Sequence, residues 1–83
     1  MGSKVLYKSS VRKDLKRIDP HRQKKILDEI EEELSKDPVA GKRLTGEYDG
    51  LFSYRVGDYR AVYTLIPEGV LILRISHRKE SYR

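Results

Sequence analysis

Residues 51–66, LFSYRVGDYRAVYTLI, decide the fold of this chain of 83 residues. Two runs rich in β-branched and aromatic residues flank Gly57-Asp58, and both of these residue types tolerate the positive φ values of a two-residue hairpin turn. The stretch therefore predicts a β-hairpin. Because a two-residue loop also fixes the strand register, Arg55 is expected to lie directly opposite Arg60.

Alternation along the two predicted strands sorts their side chains onto two faces. The face predicted to join the core consists of Phe52, Tyr54, Val56, Tyr59, Ala61, Tyr63 and Leu65. The other face carries Arg55 and Arg60. Two arginines that face each other destabilise a strand pair by repulsion, so the fold itself gives little reason to keep them. A surface that binds an anion does give such a reason.

Upstream of the hairpin, the sequence predicts one strand and two helices. Residues 4–8, KVLYK, alternate as a strand does. Residues 11–18 carry apolar side chains at helical spacing, which predicts an amphipathic helix that a preceding serine can cap. Asp-Pro at positions 19–20 is typical of a helix start, and we expect a second helix over residues 20–35. The short link makes the two helices an antiparallel hairpin.

Downstream of the helices, residues 38–50 hold three Gly and one Pro, which predicts a loop with a short strand near residues 42–44. A Pro-Glu-Gly turn at 67–69 leads into another strong strand over residues 70–76. The chain therefore has the order β-α-α-β-β-β. We expect one α+β domain over residues 1–83, with the helical hairpin packed on one face of a mostly antiparallel sheet.

The register of the last strand decides which side chains join the arginines. If Ile66 faces Val70 across the turn, then Arg60 faces Ser76. The residues that this parity adds to the arginine face are Arg74, Ser76 and, if the strand runs on, Arg78. The residues that it assigns to the core are Leu71, Leu73 and Ile75.

The net charge of +5 is unevenly distributed along the chain. Residues 1–27 carry nine Lys or Arg and two Asp, whereas residues 28–37 carry six acidic residues and one Lys. Such a basic protein favours a polyanionic partner, with nucleic acid as the first choice. A basic domain without any such partner is the alternative at this point.

The sequence offers no basis for a metal or cofactor site. It contains no Cys, and its two His cannot form a metal site alone. Neither a Gly-rich phosphate loop nor a nucleophile elbow is present. No apolar run approaches the about 20 residues of a membrane span, and no signal peptide is visible. We therefore expect no metal, no cofactor and no membrane contact, and a cytoplasmic protein.

Arginine suits phosphate binding because its fixed fork of donors matches two phosphate oxygens at once. The arginine face therefore indicates a phosphate-binding surface, with a merely solvated sheet face as the alternative. The basic side of the first helix admits the same two interpretations, an RNA-contacting surface or a solvated one. It consists of Arg12, Lys13, Lys16 and Arg17.

Two residues near the C-terminus are further candidates. Histidine generally titrates near neutral pH, so His77 is either an acid–base group or an ordinary residue at a strand end. Tyr82 can stack on an RNA base, or it belongs to a docked or disordered tail.

With these residues in place, the chain resembles the RelE/ParE toxin superfamily of prokaryotic toxin–antitoxin modules over nearly its whole length. The segments that carry the resemblance are YKSSVRKDLKRID, KRLTGEYDGLFSYRVGDYRAVY and ISHRKESYR. RelE-type members are mRNA interferases that cleave the message in the ribosomal A site. In that reaction the ribose 2′-OH attacks the adjacent phosphate and leaves a 2′,3′-cyclic phosphate.

The resemblance implies roles for individual residues. Family arginines match Arg55, Arg60 and Arg78, and the C-terminal family tyrosine matches Tyr82. Arg60 would stabilise the transition state and Tyr82 would stack on a base. Ser53 stands where well-studied members carry a lysine. The general base therefore stays open among His77, Lys79 and Tyr82, and the expected RNA-binding set is Arg74, Lys79, Ser53, Arg12, Lys13 and Lys16.

The resemblance also implies partners and leaves alternatives open. Members of the superfamily are inhibited by an antitoxin segment that wraps around the toxin, and RelE-type members act on the ribosome and its mRNA. ParE-type members share the fold, lack this catalytic set and inhibit DNA gyrase. The arginine and tyrosine set favours the RelE type, while an RNA-binding module without cleavage is a further alternative.

Overall fold

The computed structural model describes residues 3–77 and residue 79. In that part of the chain, five strands and two helices alternate with short loops. In chain order they are β1 (Lys4–Tyr7), α1 (Val11–Lys16), α2 (Pro20–Lys36), β2 (Lys42–Arg43), β3 (Leu51–Val56), β4 (Tyr59–Ile66) and β5 (Gly69–His77). A single 3-10 turn at Gly46–Tyr48 lies between β2 and β3.

The strands form one sheet in the order β1-β5-β4-β3-β2. Only the β1–β5 pair among these strands is parallel; the others are antiparallel. Both helices contribute to one core on a single sheet face, through residues such as Val11 of α1 and Ile30 of α2. The predicted α+β architecture is confirmed. Within residues 3–77, neither helix is long and apolar enough to span a membrane.

The central hairpin has the predicted register. Val56 pairs with Tyr59 and Arg55 pairs with Arg60, so two residues make the turn. Gly57 adopts a φ of +59°, a conformation that glycine enters without steric cost. Along this pair, the helix-facing side is buried as expected at Val56, Ala61 and Tyr63, but Leu65, near the end of β4, is 44% exposed.

The register between β4 and β5 differs from the expectation. Ile66 pairs with Gly69, not with Val70, because the turn is tighter by one residue. An irregularity next to Val62 then leaves Leu73 as an extra residue on β5, which is the property of a β-bulge. Beyond this bulge the predicted pairing of Arg60 with Ser76 is restored.

The bulge also changes which residues of β5 reach the core. Val70 and Ile72 are fully buried before it and Ile75 after it, whereas Leu71 and Leu73 are only half-buried. The expectation that Leu71 and Leu73 face the core was therefore wrong. The extra residue reverses the alternation once, so no single parity describes the whole strand.

Side chains of α1 and of the residue before it complete the edge of β5 where β1 ends. The last backbone contact in line with β1 is the Lys8 N–H, which donates to the Ile72 carbonyl at 2.9 Å. Next along β5, the Ser10 hydroxyl donates to the Leu73 carbonyl at 3.2 Å. The Ile75 N–H then donates to Asp14 Oδ2 at 3.0 Å. Ser10 thus stands before α1 without capping it, because its hydroxyl holds the helix against the sheet.

The start of α2 follows the predicted Asp-Pro signal. Asp19 Oδ2 accepts a hydrogen bond from the Arg22 N–H at 3.2 Å, as an N-cap does. The Gln23 side chain donates to the Leu15 and Ile18 carbonyls at 2.7 and 2.6 Å, which fixes the link between the helices. The helix ends at Lys36, one residue beyond the predicted end.

Two tyrosines of the sheet bind acidic residues of α2. The Tyr7 hydroxyl donates to Glu31 Oε2 at 3.0 Å, and the Tyr54 hydroxyl donates to Glu29 Oε2 at 3.3 Å. Burial, reinforced by the neighbouring glutamates, raises the pKa of Tyr54 to about 12 and raises that of Tyr7 as well. Both hydroxyls therefore stay protonated and can donate. Part of the acidic run of α2 thus connects helix to sheet.

Tyr63 anchors the loop that leads into β2. Its hydroxyl accepts the Gly41 N–H at 3.0 Å and donates to the Pro38 carbonyl at 2.8 Å. A Cβ at position 41 would lie only 2.8 Å from that hydroxyl oxygen, so only glycine fits there. The anchor sets where β2 begins and therefore where Lys42 lies.

Replacing Tyr63 with phenylalanine should destabilise the fold. The substitution keeps the ring but leaves the Gly41 N–H and the Pro38 carbonyl without their partner, at a cost of about 1–3 kcal/mol. Urea denaturation followed by circular dichroism measures the change in the free energy of unfolding. Tyr48→Phe is the matched control because Tyr48 is 56% exposed. Equal unfolding midpoints for the two variants would contradict the anchoring role.

Candidate nucleic-acid interface

The sheet face turned away from both helices, here termed the open face, holds the arginine pair. Arg55 is exposed and Arg60 is half-buried, and they lie opposite each other on β3 and β4. On its other side Arg60 pairs with Ser76 of β5, which is 7% exposed. These three residues, the arginine row, share one face because opposing residues of antiparallel strands point the same way. The predicted grouping of Arg55, Arg60 and Ser76 is therefore present.

A second row lies about 7 Å away, two residues further along each strand. The pairings Lys42–Ser53, Ser53–Val62 and Val62–Arg74 connect four neighbouring strands. Lys42 and Arg74 are exposed and occupy the two ends of this row. The structure thus brings the expected RNA-binding residues Ser53 and Arg74 to the open face, and it adds Lys42.

A groove between α1 and β5 extends this positive surface. It is lined by Ser10, Lys13, Asp14, Arg17, Leu73 and Arg74. Lys13 and Arg74, both predicted to bind RNA, therefore meet here, and Arg17 joins them. The one carboxylate, that of Asp14, already accepts the Ile75 N–H. Three cations around one engaged carboxylate give the groove a net positive charge.

The other basic residues of α1 point elsewhere. Arg12 lines a groove with Tyr7, Val11, Leu15 and Leu27, between the two helices and β1. Lys16 is exposed near the end of α1. The structure therefore separates Arg12 from the arginine row, although the sequence grouped it with Lys13.

His77 lies on the helix-facing side of the sheet. Its ring meets the edge of Tyr59 with centroids 5.3 Å apart, and Tyr59 itself packs against the core. The Lys79 N–H donates to His77 Nδ1 at 3.2 Å. The structure therefore does not bring His77 together with Arg55 and Arg60.

The remaining predicted site residues are of two kinds. Lys79 is exposed just beyond β5. Arg78 and Tyr82 lie outside the described residues. Among residues 3–77 and 79, no group of three metal-binding side chains comes together.

Lys42 is the basic residue that sequence reasoning left out of the site, whereas Arg17 belongs to the basic side of the first helix that the sequence had already indicated. Lys42 depends on the pairing of a two-residue strand, and a segment that short has too little alternation to reveal its register.

Sequence comparison places the chain among known toxins. The family described as ParE toxin of the type II toxin–antitoxin system parDE matches residues 5–82. The chain is 35% identical over 82 residues to Toxin RelG of Mycobacterium tuberculosis, a match that covers 95% of this chain and 94% of the relative.

Structural comparison agrees with the sequence match. The toxin–antitoxin complex RelBE2 of M. tuberculosis contains a chain with a TM-score of 0.86 and 32% identity, covering 96% of this chain and 95% of that one. The RelB–RelE complex of Methanococcus jannaschii contains another, with a TM-score of 0.70 and 27% identity over 93% and 94% of the two chains. The resemblance drawn from the sequence is confirmed at the level of family and fold.

If the open face binds an RNA backbone, its cations should set the salt dependence of binding. Each phosphate contact to single-stranded RNA contributes about 0.7 to the slope of log K against log salt. Arg55→Ala and Arg74→Ala should each reduce the magnitude of that slope by about 0.7. Fluorescence anisotropy with a labelled single-stranded RNA measures it.

The matched control for this titration is Lys24→Ala. Lys24 is an exposed cation on α2, in a groove that also contains Asp28, Glu29 and Glu32. Its removal takes away one charge in acidic surroundings and should leave the slope unchanged. Equal slopes for all three variants would show that the open face does not contact the backbone.

Proposed function

Since the chain belongs to the ParE toxin family of type II toxin–antitoxin systems, within the RelE/ParE superfamily, we propose that it is an endoribonuclease that cleaves mRNA in the ribosomal A site. The observation that carries this proposal is the Arg55–Arg60 pair across the central hairpin. Two like charges that face each other do not attract, whereas a phosphate between the two side chains would bind both. Toxin RelG and the RelBE2 complex carry RelE-type names. The resemblance to RelE-type mRNA interferases is what favours RNA as the polyanion.

The proposed reaction is attack of the ribose 2′-oxygen on the adjacent phosphorus. Arg55 and Arg60 bind the non-bridging oxygens of that phosphate through their fixed donor forks. Negative charge on these oxygens increases as the fifth oxygen approaches the phosphorus. The two guanidiniums therefore bind the transition state more strongly than the substrate, which is the condition for catalysis.

Other residues guide the RNA to this pair in our proposal. Arg78 binds phosphate, and Tyr82 stacks on a base. The proposed RNA-contacting side chains are Ser53, Arg74, Lys79, Lys13, Lys16 and Arg12. The position of His77 on the helix-facing side supports a positioning role for it. Through its hydrogen bond to the Lys79 N–H, His77 orients the chain that leaves β5.

Inhibition of DNA gyrase is the second candidate function. The description of the matching family as ParE toxin favours it. This candidate needs a protein-binding surface and no chemistry, so it predicts DNA double-strand breaks in expressing cells and intact messages. Mapping of RNA ends and of DNA breaks in the same culture separates the two functions.

We also propose an antitoxin as the partner of this chain. The chains similar to it in the RelBE2 and RelB–RelE structures are bound to antitoxins. The domain is basic, and its core lies on one face of the sheet only. Such a surface suits an acidic, partly disordered chain that folds as it wraps around the toxin.

Tagged protein purified from its native host should therefore retain a small acidic protein encoded beside its own gene. Purification at moderate salt followed by mass spectrometry identifies that protein. Arg55→Ala/Arg74→Ala should retain less of it if charge drives the contact. Recovery of the toxin alone under these conditions would overturn the partner proposal.

Arg60→Ala should lose most cleavage activity. Removing one preorganised donor to a developing oxyanion typically costs about 10²–10³ in rate. Arg60→Lys should recover only part of it, because an ammonium cannot make the bidentate contact. The assay is cleavage of a defined message on programmed ribosomes.

Circular dichroism shows whether each Arg60 variant is folded, and Lys24→Ala is the charge-matched control. Cleavage at near the wild-type rate by folded Arg60→Ala would remove the catalytic interpretation and leave gyrase inhibition or plain RNA binding.

A further inference from the structure

The proposed cleavage needs a group that takes the proton of the ribose 2′-OH. Arg55 and Arg60 cannot do so, because a guanidinium stays protonated in proteins. The hydroxyls of Ser53 and Ser76 are weak bases, and His77 lies on the opposite side of the sheet. Of the other candidates, Lys79 follows the end of β5 and Tyr82 lies outside the described residues. Within the described sheet, a proton acceptor has to come from a further residue near the arginine row.

The sheet register places a lysine in the row next to the arginine row. Lys42 of β2 is paired directly with Ser53 of β3, and Ser53 shares the open face with Arg55 two residues further on. Opposing side chains of an antiparallel pair have Cβ atoms about 4.5–5.5 Å apart, and two residues along a strand span about 7 Å. The flexible four-carbon stem of lysine reaches over such distances.

The backbone of Lys42 is held in this position from both sides. Before it, the Gly41 N–H donates to the Tyr63 hydroxyl at 3.0 Å. After it, the Leu44 N–H donates to the Leu51 carbonyl at 2.9 Å. A strand of two residues would be weak alone, but these contacts fix its register. Lys42 itself is exposed, so its amine is accessible to a substrate on the open face.

We propose that Lys42 is a catalytic residue of this chain, the general base for the 2′-OH. This role rests on the proposed ribonuclease function. When its amine is unprotonated, Lys42 takes the proton as the 2′-oxygen bonds to phosphorus. The bond from phosphorus to the 5′-oxygen then breaks, and that oxygen takes a proton from solvent. Lys42 returns its own proton to solvent, which leaves a 2′,3′-cyclic phosphate and a free 5′-hydroxyl.

The neighbouring Arg43 provides a matched control. It is exposed and cationic like Lys42, but it pairs with Phe52, whose ring stacks on buried Tyr63. Arg43 therefore belongs to the helix-facing side of the sheet. Lys42→Ala and Arg43→Ala remove the same charge from adjacent positions, and only the first removes an amine from the open face.

The test is single-turnover cleavage of a defined message on programmed ribosomes. Lys42→Ala should be slower than the wild type by about 10²–10⁴, the usual contribution of a general base. Lys42→Arg should stay slow, because it restores the charge without a base. Arg43→Ala should cleave like the wild type. Circular dichroism confirms that each variant is folded.

A relocated amine makes the test specific. In Lys42→Ala/Ser53→Lys the amine moves across the strand pair but stays on the open face beside Arg55. We expect this double variant to cleave faster than Lys42→Ala by at least about tenfold, since a general base is again within reach. Rescue of this kind is not expected if Lys42 only stabilises β2.

Three results would overturn the assignment. Lys42→Ala that cleaves as fast as Arg43→Ala would exclude Lys42 from the reaction. Lys42→Arg with the full wild-type rate would show that charge, not proton transfer, is its contribution. Absence of cleavage by the wild-type chain would overturn the proposed function itself, and the role of Lys42 with it. The first two results leave the ribonuclease function standing.

Discussion

The two-residue turn at Gly57-Asp58 is the constraint on which the functional surface depends. It aligns β3 with β4 so that Arg55 and Arg60 oppose each other, and it brings the helix-facing residues into one core. A turn longer by one residue would shift the pairing and send the arginines to different positions. The two residues of this turn therefore also fix how far apart the Arg55 and Arg60 side chains lie. The fold and the proposed phosphate site therefore have one geometric origin in this domain.

The bulge at Leu73 has a comparable effect on the last strand. Before it, β5 presents Val70 and Ile72 to the core; after it, Arg74 and Ser76 continue the open face beside the arginines. Without the extra residue, Val70, Ile72, Arg74 and Ser76 would all face the same side of the sheet. The strand could not then serve both the core and the charged surface. Bulges often occur beside functional sites because they redirect side chains without ending the sheet. Here the redirection supplies one wall of the positive groove.

Much of this arrangement could be predicted from local patterns. The hairpin, both helix positions and the opposition of Arg55 and Arg60 follow from turn chemistry and periodicity, which act over a few neighbouring residues. The bulge could not be predicted in this way, because an apolar residue such as Leu73 fits either face of a strand. The helix-facing side of His77 follows from the same alternation that placed Ser76 beside Arg60. The position of Lys42 depends on pairing between distant parts of the chain, which alternation along one strand cannot describe.

The contact between α1 and β5 has a consequence for how the protein behaves among other copies of itself. Where β1 ends, the edge of β5 would present bare N–H and C=O groups, which invite pairing with a strand of another molecule. Ser10 and Asp14 occupy these groups at Leu73 and Ile75 instead. The helix thus protects the sheet from edge-to-edge aggregation, and it does so with side chains that border a highly charged groove. Protection of the strand edge and the positive charge of the groove therefore depend on the same segment of the chain.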